Sequence, residues 1–322
     1  MAATRRNILM STVDRNRFIE ACIALKTEST GITTRQLGIN GGSRANQRML
    51  STWDLFVIWH LRSMQQMSSD GARNAAHSGP VFLPWHRWYM LVLEFEMRRV
   101  LGLGRDEYGL PYWDWAADGD SLTATQQINN APLWSHVGGN GQSTDREVVT
   151  GPFTYSNFPI NIEQSATGTI RATDRGLQRN FGAGVNTLPT SQQTTVALQA
   201  SIYDEPNYDT ASDGFRNRIE GWHDTVGQLG THNRVHVWIG GDMSPGTSPN
   251  DPLFFLNHCN VDRLWAQWQS NNPNTNYLPA GRSTSDVDPL FRHRAGDPLY
   301  SILTQEPPVS AMLNVSGFYS YA

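Results

Sequence analysis

The chain has 322 residues, 39% of them hydrophobic, and a formal net charge of −4. This length suits one large domain or two ordinary ones, and because no shift in composition marks a boundary, we expect residues 1–322 to form a single domain. The weak negative charge argues against binding to nucleic acid or anionic membranes, and no stretch has the roughly 20 consecutive apolar residues of a membrane-spanning helix.

The N-terminal segment carries an arginine pair, Arg5 and Arg6, but polar residues from Ser11 onward interrupt any apolar run after it. A signal peptide needs such a run, so we expect none and predict a cytoplasmic protein. Export together with a partner protein stays open. The two cysteines, Cys22 and Cys259, lie far apart in the sequence and are expected to be reduced, mostly buried thiols.

Apolar residues at helical spacing predict a mainly α fold. Between residues 116 and 212 the chain is rich in Gly, Ser, Thr, Asn, Pro and Gln. That region is expected to form long loops with short strands or turns over a helical core. The predicted helical stretches are 14–26, 52–67, 85–101, 213–230 and 248–269.

Two groups of three histidines are candidate metal ligands. In "HNRVHVWIGG", His232 and His236 are four residues apart, so on a helix both imidazoles point the same way. His258 lies on the apolar face of a separate predicted helix and is a candidate third ligand. A second group consists of His60, His77 and His86, which are placed on one helix, in a loop and at the start of another helix.

Ligands of imidazole alone suit zinc, copper, iron or nickel, and six imidazoles without a neighbouring carboxylate favour copper. A single histidine on an apolar helix face, such as His60 or His258, is more often a hydrogen-bonded core residue. His136, His223 and His293 lie in polar contexts and are interpreted as structural or surface residues. The residues alone therefore predict a helical protein with two metal ions.

Long segments of the chain resemble the tyrosinase family of type-3 copper proteins. They are "HSGPVFLPWHRWYMLVLEFE", "LPYWDW", "ASDGFRNRIEGW", "HNRVHVWIGGDMSPGTSPNDPLFFLNHCNVDRLWAQWQ" and the terminal "YSY". The resemblance is closest to short bacterial, streptomycete-type tyrosinases and o-aminophenol oxidases, and is weak only between about 118 and 200. It implies a four-helix bundle around a dicopper centre, with long loops, few short strands and no C-terminal lid domain.

The resemblance also implies the cofactor and the partners. Two copper ions are expected, with O2 and a small phenol as substrates, and streptomycete relatives suggest a helper protein that loads copper. The implied copper-A ligands are His60, His77 and His86. The implied copper-B ligands are His232, His236 and His258.

Three functions fit the resemblance. The first is a tyrosinase, which hydroxylates monophenols in the ortho position and oxidises o-diphenols to o-quinones. The second is a catechol or o-aminophenol oxidase with little activity on monophenols. The third is an oxygen-binding carrier. It is disfavoured because no lid domain is expected and because Glu220 and Asn233 match a catalytic pair of the family.

Within the matched segments, Glu220 and Asn233 correspond to a glutamate and an asparagine that together hold a basic water. As helix-surface polar residues, both also have a purely structural interpretation. Val237, Ser248 and Phe254 are expected to line the substrate pocket, although Ser248 also suits a helix start. The segment 221–231 is expected to border the pocket entrance. It is longer than in streptomycete enzymes, which leaves the substrate preference open.

Two further residues are expected to lie behind the copper-B ligands. Asn257 stands where many relatives have a histidine, so the surroundings of copper B are expected to differ. Asp262 follows His258 by one helical turn and is expected either to orient a ligand or to pair with an arginine such as Arg234 or Arg263.

Overall fold

The computed structural model describes residues 2–42, 47–223 and 230–322, and this part of the chain is mainly helical. The mainly α prediction is therefore confirmed. The described helices are α1 (Thr12–Thr27), α2 (Thr52–Gln65), α3 (Phe82–Leu101), α4 (Trp115–Ser121), α5 (Ala124–Asn130), α6 (Trp134–Val137), α7 (Ser191–Leu198), α8 (Phe215–Glu220), α9 (Thr231–Ile239) and α10 (Leu253–Asn271).

The described strands are short and pair only in twos. They are β1 (Ala3–Arg5), β2 (Ser29–Thr33), β3 (Met49–Ser51), β4 (Ile160–Gln164), β5 (Ile170–Arg175) and β6 (Tyr319–Tyr321). β1 pairs in parallel with β6, so the two ends of the chain meet, while β2 with β3 and β4 with β5 are antiparallel.

Helices α2, α3, α9 and α10 form the bundle that carries five of the six candidate ligands. α2 begins with a capping box: the Ser51 side chain accepts from the Asp54 backbone N–H, and the Asp54 side chain accepts from the Ser51 backbone N–H. α3 contains Pro84 in its first turn, where no helical N–H is lost, and ends at Gly102 with a left-handed φ of 65°.

Buried apolar side chains from these helices and from the long loops form one cluster. Aromatic rings dominate it next to the bundle; Trp85, for example, stacks on Tyr89 with ring centroids 4.8 Å apart. Among the described helices, none combines the length and apolarity needed to cross a bilayer. How the chain divides into domains stays a prediction.

Three nucleophile-bearing side chains are enclosed in this core. Lys26, the single lysine of the sequence, is buried and donates to Asp54 at 2.5 Å. Cys22 and Cys259 are both free and buried. The expectation of two reduced, buried thiols agrees with this arrangement.

Two expectations about the elements need correction. The helix expected over 213–230 is described only as α8, because Gly221 ends it with a φ of 100°, and residues 224–229 lie outside the described residues. The region 116–212, expected to hold loops, strands and turns, also contains the short helices α5, α6 and α7 and most of α4.

Candidate metal centre

The structure brings the six candidate ligands together in two trios. Within each trio, the ligand nitrogens lie within 4.8 Å of one another. α2 and α3 carry His60 and His86, and the loop before α3 carries His77. α9 presents His232 and His236 from successive turns, and α10 presents His258.

The two trios face each other closely. The rings of His86 and His258 stack with centroids 4.1 Å apart and an interplanar angle of 11°. Those of His77 and His232 lie 6.4 Å apart. Two metal ions held by the trios would therefore be close neighbours.

Backbone carbonyls fix the orientation of four imidazoles. The carbonyl oxygen of Gly246 accepts from His60 Nδ1 at 2.7 Å, and that of Met243 accepts from His236 Nδ1 at 2.7 Å. A carbonyl oxygen can only accept, so Nδ1 carries the proton and Nε2 keeps its lone pair for a metal. The other two such bonds join His86 Nδ1 to Phe82 O and His232 Nδ1 to Glu220 O.

Three ligand nitrogens that face the centre lack a protein partner among the described residues. Nε2 of His60, His86 and His236 is buried without a hydrogen-bond partner among the described residues. Nε2 of His232 and Nε2 of His258 lie only 3.1 Å apart. A metal ion in each trio would satisfy these nitrogens, so the residues present fit two copper ions.

Burial keeps the imidazoles neutral. It lowers the pKa of His60 to about 3 and that of His236 to about 4. Burial also lowers the pKa of the other four ligands well below the usual imidazole value. Neutral imidazole is the form that binds a metal ion, so the site is preorganised for one.

A cavity of about 340 Å3 opens onto the two trios. Val237 and Ser248, both predicted pocket residues, line it, as do Glu220 and Asn233. Phe254 lies elsewhere: it is fully buried one turn before His258 in α10, and its ring centroid is 4.1 Å from that imidazole. It therefore packs against the ligand ring inside the core and does not line the cavity.

Glu220 is buried at the end of α8 and faces the cavity. Burial raises the pKa of its carboxyl group, against the opposing effect of the nearby Arg216. Asn233 Oδ1 lies 3.0 Å from His232 Nδ1, while Asn233 Nδ2 is buried without a partner among the described residues. The carboxylate and the amide thus reach the same cavity.

The two residues expected behind the copper-B ligands lie in the buried part of α10. Asp262 pairs with Arg87 at 2.6 Å and with Arg5 at 3.3 Å, not with Arg234 or Arg263. Its described hydrogen bonds go to these arginines and to two tyrosines, and none joins it to a histidine. Asn257 is fully buried, with both amide atoms unpartnered among the described residues.

Several cavity residues were not predicted from the sequence. They come from elements distant in the chain, and only the position of Asn74, three residues before His77, gives a local signal, because its Oδ1 accepts from the His77 N–H. The segment 221–231, expected to border the pocket, is described only in part: its residue Trp222 lines the cavity, and 224–229 lie outside the described residues. The lining residues that were not predicted individually are Met64, Asn74, Ser78, Trp222, Ser244 and Pro245.

A helical bundle that aims two trios of neutral imidazoles at adjacent points defines a dinuclear metalloprotein whose ligands suit copper. The family model described as the common central domain of tyrosinase matches residues 50–271. A tyrosinase of Streptomyces antibioticus is 40% identical over 240 residues, covering 73% of this chain and 79% of that protein. The grixazone synthase of Streptomyces griseus is 34% identical over 348 aligned positions, covering 100% and 99% respectively.

The chain belongs to the tyrosinase family, and it is a copper-dependent oxidoreductase of the type-3 phenol oxidase class with two copper ions. Solved structures show the same fold. A polyphenol oxidase of Thermothelomyces thermophila matches with a TM-score of 0.70 at 21% identity, covering 100% of this chain and 89% of that one. A functional unit of octopus hemocyanin matches with a TM-score of 0.55 at 18% identity, covering 99% and 68%.

Proposed function

We propose that this phenol oxidase uses O2 both to hydroxylate monophenols in the ortho position and to oxidise o-diphenols to o-quinones. The observation that carries the proposal is the cavity, in which a carboxylate and an amide stand beside both imidazole trios. An oxygen carrier needs no such pair beside an open cavity.

Two copper ions held by the trios would supply the O2 chemistry and accept electrons from the substrate. The chain positions the substrate: a cavity of about 340 Å3 suits one small aromatic ring. Val237 and Pro245 line its wall. Phe254 packs against the His258 ring, with an angle of 34° between the two ring planes, and supports that ligand inside the core.

The phenol must lose its proton before it reacts, and Glu220 and Asn233 are the proposed groups for this step. A water held between them would donate to Glu220 Oε1 or Oε2 while the Asn233 amide orients it. The raised pKa of the buried Glu220 carboxyl suits a general base, because a stronger base accepts the phenol proton more readily.

A second candidate is a catechol or o-aminophenol oxidase with little monophenol activity. The chain matches grixazone synthase over almost the whole length of both proteins. Because this relative is not named a tyrosinase, the match supports keeping the second candidate. The copper-loading helper protein and the cytoplasmic location also stay predictions.

The test is to assay the copper-loaded protein side by side on tyrosine, 4-hydroxybenzoate, catechol and 2-aminophenol. Hydroxylation of a monophenol supports the first candidate. Oxidation of catechol or 2-aminophenol alone supports the second. Reversible O2 binding without oxidation of any of the four compounds contradicts both.

A further inference from the structure

Glu220 contacts both halves of the metal centre. Its side-chain Oε1 accepts the backbone N–H of Ser78 at 2.7 Å, and Ser78 directly follows His77 of the first trio. Its backbone carbonyl accepts from His232 Nδ1 of the second trio at 3.1 Å. One residue of α8 therefore bonds to a ligand loop on one side and to a ligand ring on the other.

His77 depends on its backbone for its position. It lies in a loop, and its Nδ1 is buried without a hydrogen-bond partner among the described residues, unlike Nδ1 of His60. The loop is held by Asn74 Oδ1, which accepts from the His77 N–H at 2.9 Å, and by the bond from Ser78 to Glu220. Ser78 has a φ of 63°, a conformation that a residue with a side chain keeps only where its neighbours hold it.

Arg216 fixes the Glu220 carboxylate from the other side. Its Nη1 donates to Glu220 Oε2 at 3.1 Å, one helical turn along α8. Its Nε and Nη2 donate to the two oxygens of Asp204 at 2.7 and 3.0 Å, and Nη2 also reaches the Asp209 carbonyl. All three charged side chains are buried, so no solvent competes for these bonds.

We propose that Arg216 and Glu220 form a buried brace that holds the His77 loop and the His232 ring in register for two copper ions. Arg216 is then a positioning residue, since it acts through Glu220 and has no contact with a ligand imidazole among its described bonds. The inference rests on the copper pair and not on which phenol is oxidised. It adds a structural duty to Glu220 beside the proposed proton transfer.

The planar guanidinium is essential to the brace, because its nitrogens donate hydrogen bonds to Asp204 and Glu220 at the same time and in fixed directions. Lysine keeps the charge but has a single nitrogen and cannot reproduce this geometry. Glu220→Leu removes the acceptor for the Ser78 N–H while leaving Arg216 paired with Asp204. Arg218→Lys is a matched control on the same helix, because Arg218 pairs with Asp213 in a partly exposed salt bridge.

The experiment titrates copper into metal-free full-length protein and measures copper per chain and the EPR signal of the Cu(II) form. We expect Arg216→Lys and Glu220→Leu to bind the second copper ion about 10- to 100-fold more weakly, as is usual when a group that orients a ligand is lost. Isolated Cu(II) then gives an EPR signal that the closely coupled pair lacks. Arg218→Lys keeps two coupled ions.

Far-UV circular dichroism shows which variants are folded, and only folded ones are compared. If Glu220→Leu does not fold, Arg216→Lys alone decides. A folded Arg216→Lys or Glu220→Leu variant that binds both ions as tightly as the control overturns the brace. Copper binding is measured without a phenol, so a wild-type protein that binds two ions but oxidises no phenol contradicts the proposed function and leaves the brace intact.

Discussion

The carbonyl oxygens that accept from the ligand imidazoles decide which ring nitrogen faces the metal. Gly246 and Met243 supply two of these oxygens from the segment between α9 and α10, and Phe82 supplies another from the first turn of α3. A metal site of this kind therefore needs a correctly folded backbone behind four of its rings, in addition to six histidines.

Removal of one ligand ring tests the assignment of the second trio. His236→Ala leaves two imidazoles for that ion, and we expect about one copper ion per chain and a loss of oxidase activity of about 100-fold or more. Elemental analysis and the catechol assay measure both. His136→Ala, outside the trios, is the control and should keep two ions; an unchanged copper content in His236→Ala would contradict the ligand assignment.

Glu220→Gln separates proton transfer from oxidation. The amide retains much of the side chain's shape but is a very weak base, so we expect phenol hydroxylation to slow by about 100-fold or more. Oxidation of catechol, whose hydroxyl groups are more acidic, should slow much less. Rates on tyrosine and catechol, normalised to copper content, give the comparison. Equal loss on both substrates would count against the proposed base.

The ligands could be predicted from the sequence, whereas most of the cavity could not. His232 and His236 share a helical face through their spacing alone, and the matched segments supply the other four. Met64 and Trp222 converge on the cavity from elements more than 150 residues apart. No local sequence pattern shows that residues so far apart in the chain meet in space. Phe254 was placed in the pocket wrongly because helical spacing predicts which face of α10 carries it but not which part of the protein packs against that face.

At the scale of elements, the long helices α1, α2, α3 and α10 were predicted, whereas the short helices α4 to α7 were not. α5 and α7 are too short to show a period, and both begin with a capping box, Thr123 with Gln126 and Thr190 with Gln193. That spacing was visible in the sequence and is a local signal for a helix start. α8 was extended too far because Gly221 was not recognised as its end.

Gly221 ends α8 where the chain passes very close to itself. Its φ is 100°, and a Cβ there would lie 2.1 Å from the Gly230 carbonyl oxygen. We expect Gly221→Ala to lower the free energy of unfolding by about 2 kcal/mol or more, because the backbone must move as well as adopt a strained angle.

Gly102→Ala is the matched control for this substitution. Gly102 also ends a helix with a left-handed φ of 65°, but nothing lies within 4 Å of a Cβ built there. Its cost should be limited to the strained angle, about 1 kcal/mol. Urea unfolding of the two variants measures the difference, and equal costs would show that the close approach is unimportant.

At the scale of the whole molecule, the buried neutral imidazoles couple stability to pH. An unfolded histidine titrates near pH 6.5, whereas burial lowers the pKa of folded His60 to about 3 and of His236 to about 4. Below pH 6.5 the unfolded chain binds protons that the folded chain does not, so the free energy of unfolding falls as the pH falls.

We therefore expect metal-free protein to lose stability between pH 6.5 and 5. Each such histidine contributes up to about 1.4 kcal/mol per pH unit. Urea unfolding at several pH values measures the slope. His136→Ala should leave it nearly unchanged, and a flat profile in this range would mean that the rings are protonated in the folded state.

The burial of Lys26, Cys22 and Cys259 bears on what an o-quinone product does to the enzyme that makes it. Quinones add to amines and thiols: a C–N or C–S bond forms, and the ring becomes a catechol as it takes up the proton. Burial raises the pKa of both thiols, which keeps them protonated and poorly nucleophilic.

Peptide mapping after prolonged turnover should accordingly find no lysine or cysteine adduct on the folded enzyme. Arg171→Lys is the positive control, because the Arg171 side chain is 58% exposed and a lysine there offers an accessible amine. A wild-type adduct on Lys26 would mean that the core opens during catalysis. Because its single lysine and its two cysteines are buried, the protein protects these side chains from covalent modification by its own quinone product.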